Sequence, residues 1–279
     1  MSERVSVVFG DVHGDIKLLE LLVKMVHDRY GSANVDWYSV GDLVDRGPDS
    51  KAVIDFCIHL GVQAVMGNHE TWLHKYLETG EFDEFALHKA MGGKSTLESY
   101  GCMWTGKPKV EEHLGPAVPD SHKQFILSMP LWRKIPIGNR LYRLSHTGLD
   151  FPSYDIFCEQ VYEASQRGVP VPLPKTEDFD DLIFDMIAEV QPAILLWAGN
   201  SVMRPNLAQL KDGSHQVFGH TPAGRKPVMG HGWTALDTGC GAHPPFILSC
   251  VVLPSMETFS VNALTGKVGD GKVQDFDLD

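Results

Sequence analysis

The apolar positions of the first seventy residues follow one repeated pattern. A short β-branched run stops abruptly at a glycine, a polar cluster follows, and apolar positions then recur at helical spacing. Residues 4–9 form the first run, read as a buried strand, and it ends at Gly10-Asp11-Val12-His13-Gly14-Asp15. Leu18, Leu19, Leu22, Val23 and Val26 then keep the period of an amphipathic helix, with Asp15 as its N-cap. Residues 36–40 predict a second strand ending at Gly41-Asp42. A helix over about 50–60 follows, with Val53, Ile54 and Cys57 on one face and Gly61 as its stop signal. A third strand over 62–66 ends at Gly67-Asn68-His69-Glu70, where another helix begins. Strand, loop and helix three times over is the pattern of an α/β sheet. In such sheets ligands gather beyond the carboxyl ends of the strands, where all three polar clusters fall.

The middle is less regular. Residues 82–91 read as helical and run into Gly92-Gly93, 95–100 as helical again, and 107–119 as a polar connection containing proline. A short helix over 122–129 is broken by Pro130. Strands over 132–135 and 141–144 are joined by a Gly138-Asn139 turn, and the second runs into Ser145-His146-Thr147-Gly148. Pro170, Pro172 and Pro174 alternate, so that stretch is a loop and not a strand. An acidic, apolar helix over 179–190 follows, and then Ile194-Leu195-Leu196-Trp197. The last third reads as β, with runs over 216–218, 233–238, 246–253 and 257–261; the first ends at Gly219-His220-Thr221-Pro222. Without internal repeats or a linker, 1–279 is expected to be one domain, with about 151–190 as a cap or insertion and about 265–279 as a loose polar tail.

Composition narrows the function classes modestly. The chain has 279 residues, 43% hydrophobic and 22% charged, as ordinary globular proteins do. A formal net charge of -12 argues against nucleic acid as a partner, since non-specific binding needs a basic footprint. It weighs little against small phosphorylated substrates, because bound cations would reverse the local field. Cys57, Cys102, Cys158, Cys240 and Cys250 are odd in number and show no C-x-x-C pair, which points to a reducing compartment. The N-terminus has no signal-peptide pattern and no apolar run reaches the length of a membrane span. A cytoplasmic monomer is the expectation.

The chemistry concentrates where strands end. Phe9-Gly10-Asp11, Val40-Gly41-Asp42, Met66-Gly67-Asn68 and Phe218-Gly219-His220 each place a metal-capable side chain directly after a glycine. His13 lies two residues beyond Asp11, so in an extended segment both face one side, and His146 ends its own strand. A lone histidine among thirteen is more often a core or surface residue, but five such endings converging by chance is far rarer. Mixed Asp, His and Asn donors suit Mn²⁺, Fe²⁺ or Zn²⁺ better than Ca²⁺. They are too many for one tetrahedral zinc and fit a binuclear centre. Asp45 and Arg46 add a second carboxylate and a guanidinium fork of the kind that grips phosphate oxygens; a structural salt bridge across the loop is the plainer alternative.

Gly10-Asp11-Val12-His13-Gly14, Gly41-Asp42-Leu43-Val44-Asp45-Arg46-Gly47 and Gly67-Asn68-His69-Glu70 resemble the three signature motifs of the phosphoprotein phosphatase (PPP) family of calcineurin-like metallophosphoesterases. The smaller bacterial and lambda-type phage members are nearest in style. The likeness continues more thinly through Gly92-Gly93, 96–101, His146-Thr147-Gly148, Phe218-Gly219-His220-Thr221-Pro222 and Asp237-Thr238-Gly239. It implies an α/β/β/α sandwich of two mixed sheets flanked by helices. It also implies two divalent ions, Mn²⁺ first and Fe or Zn otherwise. Asp11, His13 and Asp42 would hold one ion, and Asp42 would bridge to another completed by Asn68, His146 and His220. His69 resembles the family's general acid, with Asp45 holding its ring and Arg46 clamping the phosphate, to which Asn68 also contributes. Attack on phosphorus would be in line by a metal-bridging hydroxide.

The chain departs from the family at its second phosphate-gripping arginine, which usually follows a Leu-Trp or Ile-Trp pair. Here Leu196-Trp197 leads into Ala198-Gly199-Asn200-Ser201, so Arg204 is the candidate and Asn200 the fallback. The implied substrate is phosphoserine or phosphothreonine in proteins, with phosphotyrosine and small phosphoesters as lesser ones. A symmetrical bis(5'-nucleosyl)-tetraphosphatase is the alternative, since Gly47-Pro48-Asp49-Ser50 and 235–240 resemble that group, while the intact Asp45 leans towards the protein phosphatases. A silent binding scaffold is disfavoured because every expected ligand is present. A nuclease of the wider superfamily is disfavoured because Thr221-Pro222 replaces a second histidine after His220.

Overall fold

Alternation along one strand explains the layers. The structure, a computed structural model, describes residues 4–102, 114–115, 117–166, 178–197, 207–242, 244–263 and 269–271. In β1 (Val5–Phe9), Val7 and Phe9 point into one apolar cluster while Val8 points into another, the two-residue period of a strand buried on both faces. β1 runs parallel to β2 (Val35–Ser39) and antiparallel to β9 (Ile247–Leu253), whose seven residues are all buried. β3 (Gln63–Ala64) extends the sheet on one side. β10 (Glu257–Asn262) and β11 (Gly269–Gly271) extend it on the other, giving the order β11-β10-β9-β1-β2-β3.

A second mixed sheet is built from β4 (Trp132–Ile137), β5 (Arg140–Ser145), β6 (His215–Phe218), β7 (Val228–Gly230) and β8 (Trp233–Ala235), in the order β4-β5-β6-β8-β7. The sheets face each other across Val8, Val40, Val65, Tyr142, Leu144, Val217 and Val251. The outer face of the first sheet is covered by α1 (Ile16–Tyr30) and α2 (Ser50–Leu60), which bury Leu19, Leu22, Val53 and Ile54 against Phe9 and Val252. Both helices start on an aspartate that accepts a backbone N–H, Asp15 from Leu18 and Asp49 from Ala52. α2 stops at Gly61 in the left-handed conformation. Further helices are α3 (Glu70–Thr79), α4 (Gly93–Ser99), α5 (Asp120–Leu127), α6 (Phe151–Gln166), α7 (Phe179–Val190) and α8 (Ala193–Trp197). The two mixed sheets with flanking helices are the expected sandwich.

Several expectations change in detail. The helix expected over 82–91 is only a 3-10 turn, Glu84–Leu87, and the segment's N–H groups reach back three residues, Ala86 to Asp83, His88 to Phe85 and Met91 to His88, which holds the chain in turns. β3 is shorter than expected: beyond Ala64, the Met66 N–H leaves the ladder for the Pro130 carbonyl. The strand expected over 233–238 ends at Ala235, and the Asp237 carbonyl accepts from Ala223. β7 and β11 were not signalled by alternation, since both are three residues long and contain glycine. β11 lies inside the stretch expected to be loose from about 265, paired with β10. Pro170, Pro172 and Pro174, and residues 272–279, lie outside the described residues. Within 151–190, α6 and α7 pack together through Tyr154, Phe157, Ile183, Phe184 and Ile187.

A fully buried guanidinium joins α7 to the second sheet. Arg143, on β5, donates to Asp181 at 2.5 Å, Asp178 at 3.2 Å and Asp212 at 2.6 Å, and also to Ser214. Lys134 on β4 adds bonds to Asp178 and Asp181 at 2.7 and 2.8 Å. Removing the central cation leaves acidic groups facing one another in a poorly solvated place, a change that typically costs about 3–5 kcal/mol. Arg143→Met is expected to lower unfolding stability by about that much, read as a lower urea midpoint with an unchanged slope. A loss below about 1 kcal/mol would show that the network is solvated and peripheral.

Candidate active site

The carboxyl ends of β1, β2 and β3 in one sheet, and of β5 and β6 in the other, open onto a common cleft. They deliver Asp11, Asp42, Asn68, His146 and His220 respectively. Turning each chain back sharply requires unusual backbone. His13, Asp42, Asp45, Arg46 and His220 all have positive φ, between 47° and 71°. Non-glycine residues rarely adopt this region and pay of the order of 1–3 kcal/mol for it. His13 therefore does not continue an extended segment from Asp11. Glycine is required at Gly41, whose φ is 96° and whose missing Cβ would overlap the Gly67 backbone. It is required again at Gly219, where a Cβ would strike the Asp11 carboxylate.

One carboxylate occupies the centre. Asp42 Oδ2 lies 3.6 Å from His13 Nε2 and 3.9 Å from His69 Nε2, while its Oδ1 lies 3.3 Å from His146 Nε2. Two sets of donor atoms each fall within 4.8 Å of one another: His13, Asp42 and His69, and Asp42, His146 and His220. Asn68 Oδ1 is 2.9 Å from His146 Nε2 and 3.0 Å from His220 Nδ1. Asp11 stands beside this group, 1% exposed, with Oδ2 accepting the His220 backbone N–H at 3.1 Å. His69 Nε2 thus lies near the first set's His13 as well as beside Asp42.

These donors fit divalent cations. His13 Nδ1 donates to the Val44 carbonyl at 3.1 Å and His146 Nδ1 to the Val40 carbonyl at 2.8 Å, which aims each Nε2 into the cleft. Such outer contacts set the tautomer of a ligating histidine. The electrostatics agree. Burial pushes the Asp11 carboxyl well up, helped by Asp237 beside it. Burial would also raise Asp42, but His146, His69 and His13 hold it well below the usual carboxylate range. Burial lowers His13 well below its ordinary value and, with His146 close by, brings His220 down to about 4. Burial would lower His146 too, yet the Asp42 charge and hydrogen bond, with Asp11, raise it to about 10. Carboxyls pushed up by burial and by neighbouring carboxylates mark a place where added cations would be favourable.

A second group lies alongside. His69 Nδ1 donates to Asp45 Oδ2 at 2.9 Å, leaving Nε2 towards the cleft. Trp72 Nε1 donates to the same oxygen at 3.1 Å, and Thr96 Oγ1 donates to Asp45 Oδ1 at 2.7 Å. Thr96 in turn accepts the Asp45 backbone N–H, and Ser50 donates to Thr96 at 2.8 Å. Arg46 is exposed; its Nε donates to the Ala90 carbonyl at 3.2 Å and its guanidinium to His13 Nε2 at 2.7 Å.

The strongest support was not assigned from sequence. Glu70, fully buried at the start of α3, accepts the backbone N–H groups of Asp42, Leu43, Val44 and Gly67 at 2.8–3.1 Å. Burial, with Asp42 nearby, raises its carboxyl to about 7. Its place beside His69 was a visible signal; Thr96, in a separate helix, gave none. Asp237 is also buried, accepts the Gly239 N–H at 2.8 Å, and is raised by burial to about 6. Arg204 and Asn200, the candidates for a second phosphate grip, lie outside the described residues.

The acidic trio Asp178, Asp180 and Asp212 also brings donor atoms together. Its oxygens are taken by Arg143, Lys134, Tyr154 and the Asp212 backbone N–H, so it is an ion-pair network.

Comparison with known proteins agrees with this geometry. The family model for calcineurin-like phosphoesterases matches residues 6–224. Serine/threonine-protein phosphatase 2 of Escherichia coli K12 is 36% identical over 75 residues, 26% of this chain and 33% of that protein. The asymmetrical bis(5'-nucleosyl)-tetraphosphatase of Halalkalibacterium halodurans is 26% identical over 247 residues, 84% of each chain. A crystal structure provisionally described as a diadenosine tetraphosphatase superposes with a TM-score of 0.57 at 21% identity, over 94% of this chain and 95% of that one.

Because Asp42 belongs to both donor sets, Asp42→Asn is expected to reduce tightly bound metal from two ions to fewer than one per chain, measured by elemental analysis after gel filtration. Two retained ions would contradict the shared role. The raised His146 has a separate consequence. Its proton must leave before the nitrogen can ligate, so metal affinity should rise with pH, by up to about tenfold per unit between roughly pH 7 and 9. Calorimetric titration in buffers of different ionisation enthalpy measures the released proton; none released would refute it.

Proposed function

The chain belongs to the calcineurin-like phosphoesterase family, a family of hydrolases acting on phosphoester bonds, and from that premise we propose a binuclear, metal-dependent phosphohydrolase of nucleotide esters. Asp11, His13, Asp42, Asn68, His146 and His220 would hold the two ions, Mn²⁺ first and Fe or Zn otherwise. The observation that carries this reading is the position of Asp42 in both donor sets. When bound, paired divalent cations lower the pKa of water and offset charge growing on phosphate oxygens.

The chain's own groups do the rest. Arg46, exposed at the lip of the cleft, offers its guanidinium to phosphate oxygens, and Asn68 can turn its amide towards them. Arg204 remains a proposed second grip. His69 is positioned to protonate the leaving oxygen: Asp45 fixes its tautomer through Nδ1, so Nε2 faces the cleft. The Thr96 and Trp72 bonds keep Asp45 from rotating, so the donor holds its direction through the reaction.

The substrate reading rests on the relative matched over 84% of both chains, which is named a dinucleoside tetraphosphatase. The second reading is a phosphoserine and phosphothreonine protein phosphatase, supported by the E. coli relative over the motif region and by the intact His69–Asp45 pair. Among the described residues no helix is long and apolar enough to cross a membrane.

Initial rates with Mn²⁺ on diadenosine tetraphosphate, a phosphoserine peptide and an aryl phosphate, measured side by side, separate these readings. Turnover of the dinucleotide is expected to lead by at least tenfold, and a peptide preference would replace it with the second reading. Absence of hydrolysis on all three would refute both. His69→Asn is expected to retain two ions and slow the dinucleotide reaction by ~10²–10⁴-fold. The loss should shrink on aryl phosphates whose leaving group needs no proton; an equal loss there would exclude the proton-donor role.

A further inference from the structure

Two aromatic side chains from distant parts of the chain stand open at the mouth of the cleft. Phe85, in the turn Glu84–Leu87, is 52% exposed, and Trp197, the last residue of α8, is 44% exposed. Their ring centroids are 6.4 Å apart with planes tilted by 52°. Trp197 lies 6.3 Å from the His220 ring, nearly perpendicular to it. On its other side Phe85 stacks on His88 at 5.8 Å and 12°. The edge therefore runs from a candidate metal ligand, His220, through Trp197 and Phe85 to His88. Two and four residues after His88, the Ala90 and Gly92 carbonyls hold Arg46.

Local packing does not account for this edge. In the same turn, Ala86 is buried in the apolar cluster with Trp72 and Leu73, while the much larger Phe85 faces out. Large rings gain most from being covered, and exposed apolar surface beside a polar cleft is the usual mark of a ligand surface. The edge is continuous with the phosphate-handling groups, so its occupant must carry both a phosphate and a flat apolar ring.

We infer that Phe85 and Trp197 form a base-stacking subsite, which receives the nucleobase of a nucleotide whose phosphate lies between Arg46 and the His146–His220 side of the cleft. This deepens the nucleotide reading above and rests on it. A nucleotide always brings a ring tethered to its phosphate, whereas a phosphopeptide brings one only where its sequence supplies it. Every base offers a π-face, so the subsite selects for a nucleoside and discriminates weakly among bases. The Arg46 charge, held by the Ala90 and Gly92 carbonyls of the segment that carries Phe85, suits a ligand that is anionic at one end and aromatic at the other.

The test uses the whole chain and three probes, AMP, diadenosine tetraphosphate and inorganic tripolyphosphate. AMP binding, followed by calorimetry, should weaken ~10-fold in Phe85→Ala and again in Trp197→Ala, the range for losing one stacking ring. Trp197→Phe should recover most of the affinity. In turnover, the ratio of kcat/KM for diadenosine tetraphosphate to that for tripolyphosphate should fall ~10-fold in each alanine variant, through KM. An unchanged ratio, with AMP binding unchanged, would overturn the subsite. So would equal losses on both substrates, which would indicate a structural role. If AMP binds in a ring-dependent way yet no nucleotide is hydrolysed, the subsite stands and the nucleotidase reading falls. If the dinucleotide is hydrolysed equally by all variants, the reverse holds.

Discussion

Everything in the cleft is arranged around the charge of Asp42. It is nearly inaccessible to water and faces imidazoles from three separate segments, with His13, His69 and His146 all within 4 Å. A buried carboxylate without compensation would be strongly unfavourable or would take up a proton. Here the compensation comes from both sheets at once, so the two halves of the sandwich are tied together by the electrostatics of one side chain as well as by the apolar layer between them. Arrangements that separate β2 from β5 strand that charge.

That centrality has a conformational cost. Five cleft residues hold positive φ without being glycine, a concentration that only a rigid surround maintains. Glu70 supplies much of it. Its two oxygens accept four backbone N–H groups from the Asp42 loop and the Asn68 loop, and buried hydrogen bonds contribute about 1 kcal/mol or more each. Strain and support are thus of the same order, which allows the loops to stay turned inward before any ligand arrives. Preorganised dipoles and charges are the usual source of catalytic stabilisation.

Much of this was legible in the chain before folding. The three strand–glycine–polar repeats placed Asp11, Asp42 and Asn68 at one sheet edge because strand period and glycine turns are local properties. α2 and α7 follow their expected limits, being long, periodic and capped by Asp49 and Asp178. The segment over 82–91 misled because its apolar spacing suits a helix, while its Asp83, Phe85 and His88 carbonyls close three-residue turns and its Ala90 carbonyl is taken by Arg46 on another loop. Thr96 and Trp72 could not be connected to Asp45 from sequence, since nothing local marks a hydroxyl or an indole whose partner is 51 or 27 positions away, respectively. His13 was expected in extended chain, and its left-handed turn follows instead from Asp42, whose carbonyl takes the Val12 and His13 N–H groups at 3.0 and 2.9 Å.

The short passage from Phe85 to Ser99 touches three different parts of the cleft. Phe85 lies on its aromatic edge, Ala90 accepts from the Arg46 guanidinium and Gly92 from the Arg46 backbone N–H, and Thr96 fixes the carboxylate behind His69. Of the described cation-ligand candidates, none lies in it. Related chains could therefore diverge in what they accept and how fast they release it by altering this one passage, while the ion-holding core stayed constant. Selectivity and ion chemistry would then evolve as separable modules within a single fold.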